Sequence, residues 1–287
     1  MSPRYPIYIP SKGRAEQCRT ALLLADNDIP FRLVVEPQER DSYTKQFGSA
    51  RVLVLPWDNP GSVIPARNWI KDHATAEGHE RHWQWDDNIT KCVRLYRSTR
   101  RKCPPRPAIE VVEDLTDRYT NIAISGMNYM TFIVPQRDSS KPHVPFSLNC
   151  HVYSCSLMLN ETDYRWRGRY NEDTDYCLQA LAGGWCTVLV HAVAVDKAPT
   201  MTMGGGNTAT LYQDDGRLKM ARELQRRWPG IVTVSRKWGR PQHVINWTKF
   251  RTKLKRRTDI DWDALEAAGS NEYGMTLQRV KPEKQGS

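Results

Sequence analysis

The sequence has no Cys-x-x-Cys pair among its seven cysteines, at positions 18, 92, 103, 150, 155, 177 and 186, and their number is odd. That disfavours a disulfide framework and a zinc ribbon, and favours buried thiols over a metal set at Cys150, His151 and Cys155. Phenylalanine is scarce at five, whereas ten Trp and twelve Tyr supply large rigid side chains. The opening MSPRYPIYIP has no apolar h-region, so no secretory signal is read there and a cytoplasmic protein is expected. A single run of twenty residues without Asp, Glu, Lys or Arg, Tyr176 to Val195, is long enough to raise the question of a membrane. Gly183-Gly184 divides it and His191 interrupts its second half, so a helix, a tight turn and a buried strand are expected, and no span.

Acid is the missing charge in two stretches. Lys91 to Arg106 holds seven basic residues and no acid, and Arg217 to Arg257 holds fourteen against Glu223 alone, within a chain of net charge +10. The remainder is therefore acidic, and an acidic body with two basic surfaces points to a polyanionic partner. Solvated faces are the bland account of the same pattern. At 287 residues the chain is long enough for one large α/β domain or two modest ones.

The first third alternates apolar strands with helical spacing. Strands are expected at Tyr5–Pro10, Arg32–Val35, Arg51–Leu55 and Trp83–Trp85, with helices over 15–25 and 65–76 between them. Such alternation predicts a largely parallel sheet whose ligands bind beyond the carboxyl ends of the strands. The turn Ser11-Lys12-Gly13-Arg14, Glu36 and Asp86-Asp87-Asn88 all fall at those ends. A helix is expected near 109–119 and two or three strands over 122–159. A further helix opening at Asn171 and stopped by Gly183 follows, then a strand over 186–195. Beyond about Trp238 the chain becomes a basic tail dotted with aromatics.

Two acidic clusters carry chemistry. Asp86 and Asp87 repel each other, so a site that keeps both holds a cation or sugar hydroxyls; the competing account is a cap on a helix from Ile89. Asn171-Glu172-Asp173-Thr174-Asp175 opens a helix, where the backbone dipole favours acids. Capping alone does not need three acids in five residues, and a carboxylate held there can serve as a general base.

In this order the WDDN and NEDTDYCLQAL motifs resemble the inverting nucleotide-sugar glycosyltransferases of the GT-A fold. The YIPSKGRA, VVEPQ and ARNWIKDHA segments look like the nucleotide half of that class. The IPSKGR opening, VVEP and the basic Trp-containing C-terminus are similar to the TET-associated glycosyltransferases of bacteriophages, relatives of the base J glucosyltransferase. The resemblance implies a mostly parallel mixed sheet flanked by helices, with a GT-A domain over 1–235 (nucleotide half 1–106, acceptor half 107–235) and a basic extension over 236–287. It implies Mn²⁺ or Mg²⁺ and a UDP-sugar donor, with Asp87 and a late histidine, His191 ahead of His243, as metal ligands. Asp86 would contact ribose or sugar, Pro10, Ser11, Arg14, Glu36 and Arg67 would line the nucleotide site, Asp173 would be the base and Glu172 would hold sugar hydroxyls. The implied acceptor is a hydroxymethylated pyrimidine in DNA, such as 5-hydroxymethylcytosine, flipped out or single-stranded. Trp228, Trp238, Trp247 and Phe250, interleaved with Lys and Arg, are what a DNA-binding surface uses, with some of the Trp expected in the core instead, and Gly204-Gly205-Gly206 is either a loop closing over the donor or an ordinary connector. A glycan or small-molecule acceptor, a metal-dependent nuclease and a non-catalytic DNA-binding protein are the alternatives.

Overall fold

The computed structural model describes residues 2–58, 61–96, 99–133, 144–198, 216–237 and 239–269. Trp238 and the expected loop at Gly204–Gly206 lie outside the described residues.

The first third forms β1 (Ile7–Pro10), α1 (Arg19–Ala25), β2 (Arg32–Val35), α2 (Arg40–Phe47), β3 (Val52–Val54), α3 (Ile64–Ala76) and β4 (Arg81–Trp85). The apolar runs end where Gly, Pro or a charged pair breaks the pattern, which places the four strands within a residue or two of their sequence expectation. The basic stretch after Asp87 is a hairpin, β5 (Ile89–Tyr96) and the edge strand β6 (Thr99–Cys103), so no helix begins at Ile89 for Asp86 or Asp87 to cap. Next come α4 (Pro105–Asp117), β7 (Ile122–Tyr129), β8 (Phe146–Leu148), β9 (Cys155–Leu159), α5 (Glu172–Ala182) and β10 (Cys186–Lys197). The acid-free run is thus a helix, a glycine turn and a strand. Among the described residues no helix is long and apolar enough to cross a membrane.

Ten strands make one mixed sheet, in the order β3-β2-β1-β4-β9-β7-β10-β5-β6, with β8 beside β10. β3, β2, β1 and β4 are parallel, and so are β7 and β10. β9 runs antiparallel to both β4 and β7, so those two point the same way. The carboxyl ends of β1, β2, β4, β7 and β10 therefore gather at one end of a Rossmann-like α/β sheet flanked by helices, the place such a sheet offers a ligand.

The core explains why β4 sits at the centre. All five of its residues are buried, and Trp83 and Trp85 are fully enclosed; truncating either to Ala would cost about 3–5 kcal/mol. Trp83 Nε1 donates to Glu113 Oε1 at 2.9 Å, and the same carboxylate accepts from the Arg4 and Tyr5 amides. Gly126 of β7 lies where a Cβ would collide with the Cys155 carbonyl, so glycine lets β9 approach. The seven cysteines are unpaired thiols.

After α6 (Gly216–Arg227) the chain forms an antiparallel hairpin, β11 (Val232–Lys237) and β12 (Arg240–Ile245), and then α7 (Trp262–Ala267). The expected boundary between 235 and 236 falls inside this hairpin, whose strands pair from Val232 with Ile245 to Lys237 with Arg240. Trp228, Trp247 and Phe250 are partly buried and pack with Leu178, Leu224 and Val232 in a small core, as expected for some of the Trp. The segment after Phe250 is sewn to the opposite end of the sheet from the strand carboxyl ends. There Asn121 Nδ2 donates to Lys253 O, the Lys255 amide donates to Asn121 Oδ1, and the Arg257 amide donates to Arg118 O.

Candidate functional site

A cleft of about 460 Å³ opens at the carboxyl ends of β1, β2 and β4, within the size range of small-ligand sites. Pro10, Ser11, Arg14, Glu36, Arg67, Asp86, Asp87, Glu172 and Asp173 all line it. Ten of the eleven residues to which the sequence assigns a nucleotide, metal or catalytic role as first or second choice meet here, because His243 lines the cleft too. His191 does not: it lies in β10, with Nε2 at 2.7 Å from Ser147 Oγ and Nδ1 at 3.0 Å from Asn128 Nδ2.

Each carboxylate at the end of β4 has a cation of its own. Asp87 Oδ1 accepts from Arg14 at 2.7 Å and Oδ2 from Ser11 at 2.9 Å, and Ser11 is fixed in turn by Tyr43 at 2.7 Å. Burial raises the Asp87 pKa, although Arg14 and Ser11 oppose it. Asp86 Oδ1 accepts from Arg67 at 2.8 Å and Oδ2 from Ser154 at 2.6 Å. Glu36, only 3% exposed at the end of β2, is bridged by Lys12 at 2.7 Å.

Arg67 is the electrostatic centre. It rises from α3 into the buried space between the acidic clusters, donates to Gln84 at 3.2 Å as well as to Asp86, and faces Glu172 and Asp173. Burial works to lower its pKa, but the three carboxylates override this and hold the guanidinium firmly charged.

At the start of α5, Asn171 is in the left-handed conformation (φ 53°), which asparagine tolerates. Its side chain does not cap the helix; it donates to Met220 O at 3.1 Å and so ties α5 to α6. Asp173 Oδ2 lies 3.1 Å from His151 Nε2, and Oδ1 accepts from the Thr174 amide at 2.7 Å. Burial would raise the Asp173 pKa, yet His151, the Thr174 amide and Arg67 together keep it below the usual carboxylate range. Glu172 takes the opposite course, pushed up to about 6 by burial and by the charge of Asp173. Two adjacent carboxylates thus have separated proton affinities, a pattern that marks distinct chemical roles.

Sequence reasoning missed His151, Lys12, Asn88, Arg169 and Lys197 as site residues, and all five line the cleft. It also missed Lys71, whose buried ammonium donates to Thr162 Oγ1 at 3.0 Å, Tyr164 O at 3.1 Å and Tyr176 Oη at 3.2 Å, fastening α3 to the loop before α5. Burial, aided by Arg165, lowers the Lys71 pKa to about 8. Lys12 and Asn88 sit inside motifs visible in the sequence, whereas His151, Arg169 and Lys197 depend on chain crossings that no local spacing reveals.

Five basic side chains, Lys12, Arg14, Arg67, Arg169 and Lys197, face five acids, Glu36, Asp86, Asp87, Glu172 and Asp173, around the cleft. An anionic ligand therefore meets cations without a net negative field to overcome. Among the described residues no cluster of three or more His, Cys, Asp and Glu is placed to hold a metal by itself.

The profile of the family described as TET-Associated Glycosyltransferase matches residues 5–206 of this chain. No curated protein matches it. Among solved structures, the chain is similar to mannose-1-phosphate geranyltransferase from Thermus thermophilus, at 12% identity and a TM-score of 0.31 over 79% of this chain. It spans 64% of the length of that protein's chain.

Proposed function

Since the chain belongs to the TET-associated glycosyltransferase family and is a glycosyltransferase, we propose that its cleft moves a sugar from a UDP-sugar to the hydroxyl of a hydroxymethylated pyrimidine in DNA, with inversion at the anomeric carbon. The observation that carries this reading is the convergence of Asp86-Asp87 and Glu172-Asp173 on one cleft around Arg67. Family membership leaves the nuclease and the non-catalytic binder without support.

In this reading Glu36, Lys12 and Ser11 bind the nucleoside, and Arg14 and Arg67 face the diphosphate. Among the described residues Asn88 Oδ1 is buried with no hydrogen-bond partner and lines the same cleft as Asp87 and His243, which supports the reading that oxygen and nitrogen donors here take a divalent cation, Mg²⁺ or Mn²⁺. Burial and the neighbouring His151 lower the His243 pKa, which favours the neutral imidazole that a metal takes. We assign the ion to Asp87 with Asn88 and His243, in place of His191. When bound, the ion neutralises charge on the nucleoside diphosphate leaving group.

Asp173, ionised and oriented by His151 and the Thr174 amide, accepts the acceptor's hydroxyl proton as its oxygen attacks the anomeric carbon. Glu172 holds the sugar hydroxyls, and Lys197 and Arg169 close the acceptor side with positive charge. A base inside a duplex cannot reach the cleft, so the target is flipped out or single-stranded. The soluble host cytoplasm, where such DNA and UDP-sugars meet, is the proposed compartment.

The test is incubation with UDP-sugars and Mn²⁺ on 5-hydroxymethylcytosine DNA and on unmodified DNA, followed by digestion and mass spectrometry of nucleosides. A sugar increment on the modified nucleoside alone supports the reading. Transfer to a glycan or small molecule with none to DNA would overturn the acceptor assignment.

A further inference from the structure

Phe132 is 65% exposed, the most exposed large apolar side chain among the described residues. It stands on the turn after β7 and is the outer end of a run of rings. Its centroid is 5.8 Å from Tyr129 and 6.4 Å from Tyr153. Tyr153 lies 4.5 Å from Tyr129 and 4.9 Å from His151, the partner of Asp173. Tyr129 is tied into the cleft as well, since Ser154 links its hydroxyl to Asp86 and the Lys197 ammonium sits 4.5 Å from its ring.

Beside this run lies the edge strand β6, whose Arg100, Arg101 and Lys102 are exposed. The two features are joined: Arg100 donates to Met130 O at 3.0 Å, and Met130 and Ile133 pack on Val93 and Leu95 of β5. An exposed ring next to a row of cations, leading through tilted and edge-to-face ring contacts to the proposed general base, matches the chemistry of a single-stranded polyanion with flat bases.

We propose that Tyr129, Phe132 and Tyr153 form the stacking platform for nucleobases of the acceptor strand, with Arg100, Arg101 and Lys102 on its phosphates. This rests on the DNA-acceptor reading above and names the surface that meets the acceptor. The platform presents a base next to the cleft, and an exposed edge strand with three consecutive cations tracks the backbone while the rings accept any base by its face.

The test uses the full chain and a labelled single-stranded oligonucleotide carrying one 5-hydroxymethylcytosine, read by fluorescence anisotropy, with UDP binding and melting temperature measured alongside. Phe132→Ala should weaken oligonucleotide binding about 5- to 150-fold, the range of one base–aromatic stack, leaving UDP affinity and melting temperature unchanged. Phe132→Trp should restore it. Equal binding by wild type and Phe132→Ala would overturn the platform while leaving the DNA reading intact. A wild-type protein that binds UDP and no DNA at low salt would overturn both.

Discussion

His151 Nε2 stands 3.1 Å from Asp173 Oδ2, and the Thr174 hydroxyl is 3.2 Å from the same nitrogen. The imidazole is itself wedged between Tyr153 and the ring plane of Trp247, which it meets at 11°. A residue from the chain after the β11–β12 hairpin therefore steadies the partner of Asp173, the proposed base. The pairing holds Asp173 ionised and aims one oxygen, which is what a proton acceptor in a half-buried site requires.

Removal of His151 should show in the pH profile. In wild type the low Asp173 pKa keeps that residue charged across the working range, so the acid limb of kcat/KM should follow Glu172, near pH 6. In His151→Gln, Asp173 loses its stabilising partner and its pKa rises, so transfer should fall more at pH 6 than at pH 8. An unchanged profile would mean that His151 does not position the base.

Glu172 should destabilise the fold when ionised. Its pKa is raised from 4.5 to about 6, first by burial and then by Asp173, so the folded state binds this proton more tightly than the unfolded chain. The associated stability is present below pH 4.5 and lost as pH rises through about 6. Glu172→Gln should raise the melting temperature at pH 7.5 and leave it unchanged at pH 4, by calorimetry.

Arg67 neutralises carboxylates from both ends of the motif pattern. Arg67→Met leaves Asp86, Glu172 and Asp173 without it, and breaking a buried charge network by removing one partner costs about 3–5 kcal/mol. Urea unfolding at pH 7.5 checks this, and the deficit should narrow in an Arg67→Met, Glu172→Gln double variant.

The two basic surfaces should differ in their contribution to DNA binding. Arg100, Arg101 and Lys102 lie beside the aromatic run, whereas the 253–257 segment is sewn to the far end of the sheet, with Arg256 paired to Glu266 and Arg257 to Asp259. Each lost phosphate contact lowers the slope of log affinity against log salt by about 0.7 for a single strand. Neutralising the β6 trio should flatten that slope more than neutralising Lys253, Lys255, Arg256 and Arg257. A larger effect from the tail would place the DNA path on the other face.

The parallel half of the fold was legible because its strands are short apolar runs closed by Pro, Gly or charge, and the acidic motifs sit where such strands end. Arg32–Val35 and the α5 glycine stop show this, and the ends of β1, β2 and β4 located most of the cleft. What the sequence hid depends on contacts distant along the chain. The Lys91–Arg106 run read as a charge surface because its closely spaced cations leave little apolar periodicity. His151 gives no local sign of Asp173, twenty-odd positions on, as β9 and the 160s loop must fold before they meet. Which of the tail's aromatics belong to a core was not legible beside their basic neighbours; the apolar faces of α5, α6 and β11 partly bury Trp228, Trp247 and Phe250.

The most direct test of the account is single-turnover transfer from a radiolabelled UDP-sugar to 5-hydroxymethylcytosine DNA by wild type and Asp173→Asn, with donor affinity and melting temperature recorded on the same samples. Loss of a positioned general base predicts a fall of about 10²- to 10⁴-fold in the rate of transfer, with donor binding and fold retained. Near wild-type transfer by folded Asp173→Asn would contradict the assignment of the cleft's chemistry.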